Sequence, residues 1–381
     1  MSIMGLAGRP AIVGVGTTPY GRLPECDQYD LGAWALKEAL ADSGLSLGDL
    51  DGLIVSRIGD YQRFGEMLGI NPRFTAQLPG QGRMAGIAVQ QAAMAVSTGM
   101  AKVVAIVYGN NGRSSHDRYG GEGDQYGSGG AGQWFPYGMT SPGALHAMLF
   151  ERHSALYGTT SAQLAEIAVT FRQHAALNPQ AVMRDPISID THQNSRFICE
   201  PLHLFDYCLI NDGGVALIIT AQDRAKDCRK KPVYIRGVEQ ATALSGSSMP
   251  PDDFWRKPMQ SISKRIYKQA DCSRDELDAL MIYDNFTPTV LFSLEGYGFC
   301  PIGESGPWVS EGHLRLGGRF PSNTSGGHLS ESYMQGWALN VEAVRQIRGE
   351  CADRQVGNAE LIQYMAAAPI CTSIIYGASP R

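Results

Sequence analysis

Leu50-Asp51-Gly52-Leu53-Ile54-Val55, preceded by Ala41-Asp42, returns in the second half of the chain as Leu277-Asp278-Ala279-Leu280-Met281-Ile282 behind Ala270-Asp271. In both places a helical pattern stops, a short polar turn follows, and an apolar run begins, which is the order helix, turn, buried strand. A second match travels with the first. Met84-x-Gly86 and Gly99 recur as Met334-x-Gly336 and Gly349, at an offset of 250 and at both ends of a helix with matching apolar positions. Two matches in the same order mark a duplicated unit. Each copy reads as a βαβαβ unit with a buried central helix, which predicts an α/β fold in stacked layers about a pseudo-twofold axis.

Outward from the first copy, Ala11-Ile12-Val13-Gly14-Val15-Gly16 is a short strand closed by the turn residues up to Pro19. From Asp30 the residues Trp34, Ala35, Leu36, Ala39 and Leu40 recur at helical spacing until Gly44. Met84 to Val96 is almost uncharged and predicts a helix buried all round. Val103 to Tyr108 is the continuous apolar strand of a sheet covered on both faces. Residues 111–205 break this rhythm with the glycine-rich run Gly120 to Gly132 and helical stretches at Leu145 to Tyr157 and Ala162 to Leu177; strand character returns at Asn211 to Thr220. The expected division is an N-terminal half from residues 1–110 and 206–225, an inserted loop domain at 111–205, and a C-terminal half at 226–381.

The 381 residues, 44% hydrophobic, suffice for a large core, and a net charge of −5 leaves no basic footprint for nucleic acid or an anionic membrane surface. No window approaches the apolar length of a membrane span, and Met1 to Arg9 lacks the build of a signal peptide, so the chain is expected to be soluble and cytoplasmic. Eight cysteines without a C-x-x-C pair read as reduced thiols, and the eight histidines are dispersed. His146 and His153 read as one helix face. No bound metal is expected.

The duplication with an inserted loop domain resembles the thiolase fold, in the branch related to sterol carrier protein X, with duplicated βαβαβ halves in a layered αβαβα arrangement. The resemblance spans essentially the whole chain and is anchored by Val13-Gly14-Val15-Gly16-Thr17-Thr18-Pro19-Tyr20-Gly21, Asn211-Asp212-Gly213-Gly214, Tyr283-Asp284-Asn285-Phe286 and Asn323-Thr324-Ser325-Gly326-Gly327-His328-Leu329-Ser330. Members of that branch carry a nucleophilic cysteine at the start of the first central helix. Here the position falls on or beside Gly82, where there is no thiol. Two histidines of the branch, in His-Asp-x-Phe and Gly-Gly-x-x-Ser-x-x-His sequences, align with Tyr283 and Tyr333.

A tyrosine pair in place of a cysteine and two histidines resembles the lipid-transfer-protein type of steroid side-chain aldolases. That resemblance implies retro-aldol cleavage of a bulky β-hydroxyacyl-CoA to a short acyl-CoA and a ketone or aldehyde. The chemistry agrees, because the reaction needs a base for the β-hydroxyl, stabilisation of a thioester enolate and an acid for its carbon, with no covalent intermediate. Tyr333, read as opening a helix with its positive dipole end, is assigned as base. Tyr283 is assigned to hydrogen-bond or protonate the enolate, and the two roles are exchangeable. Backbone donors at Gly326, Gly327 and Asn285 are candidate substrate-binding groups, with His328 as a lesser one that faces water as a loop histidine. The resemblance also implies a homodimer that joins a small OB-fold, zinc-ribbon partner in a heterotetramer, and no cofactor beyond the CoA of the substrate.

Other readings stand beside these. Both tyrosines fit a core role with satisfied hydroxyls. Gly120 to Gly132 lacks the Gly-Lys-Ser/Thr of a phosphate loop, and Arg113, His116, Arg118 and Tyr119 fit a solvated face as well as a CoA contact. Cys208 reads as a small core residue and Cys371 as structural. The alternatives to the aldolase are a thiolase-like acyltransferase and a non-catalytic thiolase-fold subunit.

Overall fold

Asp51 and Asp278, the second residues of the repeated stretch, do the same mechanical work in the two halves. The Asp51 carboxylate accepts the N–H groups of Lys102 at 2.8 and 2.9 Å and of Val103 at 2.8 Å. The Asp278 carboxylate accepts those of Glu360 and Leu361, both at 2.8 Å. Each aspartate thus satisfies the first donors of the neighbouring strand and fixes its register. The computed structural model in which this is seen describes residues 8–80, 82–116, 138–139, 141–245 and 250–380. The glycine run Gly120 to Gly132, with Arg118 and Tyr119, lies outside the described residues.

The first half runs β1 (Ala11–Thr17), α1 (Gln28–Ser43), β2 (Gly52–Ser56), α2 (Tyr61–Leu68), β3 (Phe74–Leu78), α3 (Met84–Ser97) and β4 (Val103–Asn110). After α4 (Pro142–Tyr157), α5 (Ser161–Ala176), α6 (Ile189–Gln193) and the hairpin β5 (Phe197–Cys199) and β6 (Leu202–His203), it closes with β7 (Gly213–Thr220) and α7 (Gln222–Ala225). The second half runs β8 (Val233–Thr242), α8 (Arg256–Ala270), β9 (Ala279–Ile282), α9 (Thr287–Tyr297), α10 (Ser305–Ser310), α11 (Gly327–Ser330), α12 (Trp337–Arg348), β10 (Leu361–Ala366) and β11 (Ile370–Gly377).

The strands lie in the order β3-β2-β4-β7-β1-β8-β11-β10-β9. The two halves meet at β1 and β8, which pair antiparallel only at Ala11 with Tyr234 and Ile12 with Val233. On either side of that joint the order mirrors itself. Even β3, parallel to β2, has a vestige in the second half, where Ser322 bridges Leu280 of β9 in parallel. Strand alternation divides the core. Ile12, Ile54 and Val104 turn inward onto α3 and α12. Val13, Leu53 and Val55 turn outward onto α1, while α8 and α9 cover the second half from outside. This is the α/β layering expected, with both central helices in the middle layer.

The 250-residue offset holds at the helix C-termini, where Gly99 and Gly349 both take positive φ, 71° and 75°. It does not hold at the start. α3 begins at Met84, whereas α12 begins at Trp337, because Gln335 (φ 49°) and Gly336 (φ 90°) make a left-handed turn just before it. Among the described residues no helix is long and apolar enough to cross a membrane.

Candidate active site

Tyr283 stands where β9 ends. Its N–H donates to the Met365 carbonyl of β10 at 2.9 Å, so the last strand bond of the half-sheet fixes its backbone. Asn323, at a φ of 46°, imitates a strand partner at this end: its Oδ1 accepts from the Ile282 N–H at 2.7 Å and its Nδ2 donates to the Ile282 carbonyl at 2.8 Å. Tyr333 lies in the turn between α11 and α12, four residues before α12 begins. It therefore does not open a helix, and the dipole argument for it fails. Its backbone is fixed instead by an N–H bond to Asn211 Oδ1 at 2.7 Å. Asn211 is fully buried, with its carbonyl held by Asn110 Nδ2 at 2.9 Å.

These supports bring the two side chains together. The Tyr283 and Tyr333 hydroxyl oxygens lie 3.0 Å apart, at hydrogen-bond distance. Tyr283 is buried and Tyr333 half-buried. Gly82, just before α3, touches the same point. A Cβ on Gly82 would stand 1.5 Å from the Tyr283 hydroxyl oxygen and 2.2 Å from its Cζ. The phenol occupies the space that a side chain at Gly82 would need.

His328 does not face water. It is fully buried, with ring centroids 4.8 Å from Tyr283 and 5.3 Å from Tyr333, edge-on to both at 68° and 83°. Its Nε2 accepts the Gly336 N–H at 2.8 Å, which puts the ring proton on Nδ1, 3.0 Å from an Asp284 oxygen. Asp284 also accepts the His328 and Leu329 N–H groups, at 2.9 and 3.3 Å. Gly327 is required there by both space and backbone: its φ is 60°, and a Cβ would stand 2.3 Å from an Asp284 oxygen. His328 is thus a spacer that sets both phenol rings, hydrogen-bonded at Nε2 by the Gly336 N–H and with Nδ1 beside the Asp284 carboxylate.

The expected backbone donors fare less well. The Gly326 N–H is spent on the Asn323 carbonyl at 2.8 Å. Asn285 serves its own loop, its carbonyl accepting from Cys208 N–H at 3.0 Å and its Oδ1 from the Thr289 hydroxyl at 2.9 Å. The backbone N–H of Arg113 donates to Asp212 at 2.9 Å and its side chain donates to the Ile210 carbonyl at 3.3 Å, while His116 is exposed.

Burial holds the Tyr283 hydroxyl well above the ordinary phenol range, and the neighbouring Tyr333, Cys208 and Tyr364 add to it. Tyr283 is therefore a phenol that keeps its proton at neutral pH. Cys208, half-buried, borders the site; burial and then the Asp284 carboxylate push its thiol up, away from a thiolate. Cys371, in β11, is pushed up to about 12 by burial and donates to the Ala368 carbonyl at 3.1 Å, in keeping with a structural role. Sequence reasoning missed Asn211 and Asp284 as supports, although both sit inside anchors it had singled out.

The family model described as thiolase C-terminal domain-like matches residues 241–372. A steroid side-chain-cleaving aldolase of Thermomonospora curvata is 36% identical, over 98% of this chain and 99% of its own length. A 17-hydroxy-3-oxo-4-pregnene-20-carboxyl-CoA lyase of Mycobacterium tuberculosis is 35% identical, over 97% of this chain and 98% of its own. The solved Ltp2-ChsH2(DUF35) aldolase superposes with a TM-score of 0.90 at 35% identity, covering 98% of this chain and 99% of that one. Human mitochondrial 3-ketoacyl-CoA thiolase superposes at 0.71 with 15% identity over 97% of this chain and 99% of its own, a likeness of fold alone.

Proposed function

This chain belongs to the thiolase-like family of steroid side-chain-cleaving aldolases, and we propose that its tyrosine pair cleaves a β-hydroxyacyl-CoA thioester by a concerted retro-aldol relay. The observation that carries the reading is the 3.0 Å contact between the Tyr283 and Tyr333 hydroxyls beside Gly82. A phenol has an ordinary pKa near 10, so a free phenolate base is scarce at neutral pH. A relay avoids it. Tyr333 Oη takes the proton of the substrate β-hydroxyl while passing its own proton to Tyr283 Oη, and Tyr283 gives its proton to the α-carbon. The Cα–Cβ bond breaks, its electron pair moves onto the α-carbon through the thioester enolate, and the β-carbon becomes a ketone. Both phenols end as they began, and the balance needs no cofactor beyond the CoA of the substrate.

The burial that keeps the Tyr283 proton in place supports its role as the acid, and the greater exposure of Tyr333 supports its role toward the substrate hydroxyl. The substrate class is a bulky steroid side-chain thioester: in the Mycobacterium tuberculosis relative's name, a 17-hydroxyl and a 20-carboxyl thioester put the hydroxyl β to the thioester carbonyl. The products are then a ring ketone and a short acyl-CoA. The protein works as a cytoplasmic homodimer with a small OB-fold, zinc-ribbon partner of the DUF35 kind that accompanies the solved aldolase, together a heterotetramer.

The test is product analysis of the complex copurified with its partner, on a panel of β-hydroxyacyl-CoA thioesters. Ketone and short acyl-CoA in equal amounts, with a loss of about 10²-fold or more in kcat for Tyr333→Phe, are expected from the usual worth of acid–base groups. Full activity in Tyr333→Phe would overturn the relay.

A further inference from the structure

Tyr364, in the middle of β10, is fully buried, and its hydroxyl has no hydrogen-bond partner among the described residues. A buried hydroxyl left unpaired is costly and asks for a reason. Its place in the fold says what it is aimed at. A Cβ on Gly336 would stand 2.5 Å from the Tyr364 hydroxyl and 3.4 Å from the Gly82 carbonyl oxygen. Gly82 is the glycine against which the Tyr283 hydroxyl rests, and Gly336 is the one whose N–H holds His328. Two phenols, one just past β9 and one on the neighbouring β10, thus rest on two glycines that adjoin each other at the starts of the two central helices. One reaches the reacting space, and the other stands behind it with its donor unspent.

We propose that Tyr364 is a positioning residue for the aldol cleavage, whose hydroxyl supports the Tyr283 oxygen, directly or across one water, while that oxygen carries negative charge during proton transfer. The inference rests on the relay through Tyr283 and Tyr333. As Tyr283 gives up its proton to the substrate carbon, its oxygen gains charge in a buried setting where a nearby donor acts strongly. The groups that act on Tyr283 include Tyr333, Cys208 and Tyr364, with His328 presenting its ring edge. Asp284 lies close enough to act on Tyr364, and its negative charge disfavours charge transfer onward to that phenol. Tyr364 therefore donates a hydrogen bond and keeps its proton.

Tyr364→Phe separates this role from a packing role because the two predict opposite signs. Removing an unpartnered hydroxyl from a core leaves stability equal or improved, since no hydrogen bond is lost. If the hydroxyl serves the reaction, the same change lowers kcat about 10-fold, the scale of one supporting hydrogen bond, with KM unchanged. It also shifts the basic limb of the kcat–pH profile, because the Tyr283 oxygen loses a donor. The experiment uses the copurified complex, and Tyr283→Phe is measured beside it. Loss in Tyr283→Phe with full kcat and an unmoved pH profile in Tyr364→Phe overturns the role of Tyr364 and leaves the relay standing. Full activity in Tyr283→Phe overturns both. A fall in kcat that merely tracks a lowered denaturation midpoint also overturns the proposal, since it marks Tyr364 as a packing residue.

Discussion

Gly82→Ala is the sharpest perturbation the site offers, because it adds a single methyl group at the contact on which the account turns. The effect is steric. The new Cβ would stand 1.5 Å from the Tyr283 oxygen, 2.2 Å from Cζ and 2.8 Å from Cε2. Ordinary contact asks for the phenol to retreat by about 2 Å, in a core that is packed close to crystal density. A retreat of that size takes the oxygen out of line with Tyr333, since hydrogen bonds between hydroxyls end near 3 Å. Overpacking of this kind costs about 1–3 kcal/mol, and breaking the relay costs about 10²–10³-fold in kcat, within the usual range for acid–base groups. The assay is ketone release by the copurified complex, with the denaturation midpoint measured in parallel. Gly86→Ala is the control: its Cβ would stand 2.4 Å from Thr372 Oγ1, so it overpacks the same helix but leaves the phenols in place. If Gly82→Ala keeps kcat within about threefold of the parent, the reasoning that one buried hydroxyl position is essential is wrong.

Other expectations follow from the same geometry. If the phenols act as one relay, Tyr283→Phe and Tyr333→Phe each lose about as much kcat as the double variant, and steady-state kinetics of all three show this non-additivity. His328→Leu leaves the buried Gly336 N–H without its acceptor, so a loss of about 1–3 kcal/mol is expected in denaturant unfolding, with a reduced kcat as both rings loosen. Glu331, buried two residues before Tyr333, is raised from its ordinary 4.5 to about 7 by burial and by Glu342. Its folded value is the higher, so its favourable contribution is complete below pH 4.5 and is lost as the pH rises through 7. The wild type should shed about 3 kcal/mol across that window, and Glu331→Gln should flatten the stability–pH curve and be the more stable of the two at pH 8.

The duplication was legible because it is written in local terms: an apolar run, an aspartate that clamps the next strand, and a glycine that ends a helix. Asp51 and Asp278 keep the same neighbours in both halves, so the repeat of sequence is a repeat of contacts. The tyrosine pair was legible through its motifs, and the glycine in place of a thiol could be read at Gly82. That the phenol of Tyr283 fills the space beside that glycine could not, because no local pattern links residues so far apart. The same holds for Asn211, whose oxygen fixes Tyr333 across the chain. His328 was misjudged because a polar loop sequence says nothing of what folds over it, and here Tyr283, Tyr333 and Asp284 enclose it. Tyr333 was misplaced onto a helix because the offset of the repeat carries through the helix end but not through the left-handed turn at Gln335 and Gly336.

Intact-mass measurement of the enzyme, quenched during a single turnover of a β-hydroxyacyl-CoA thioester, tests the central claim most directly. The account expects ketone and short acyl-CoA to appear in step while the mass of the chain stays that of the free protein. An added acyl mass on the chain, formed and lost at the rate of turnover, would contradict it.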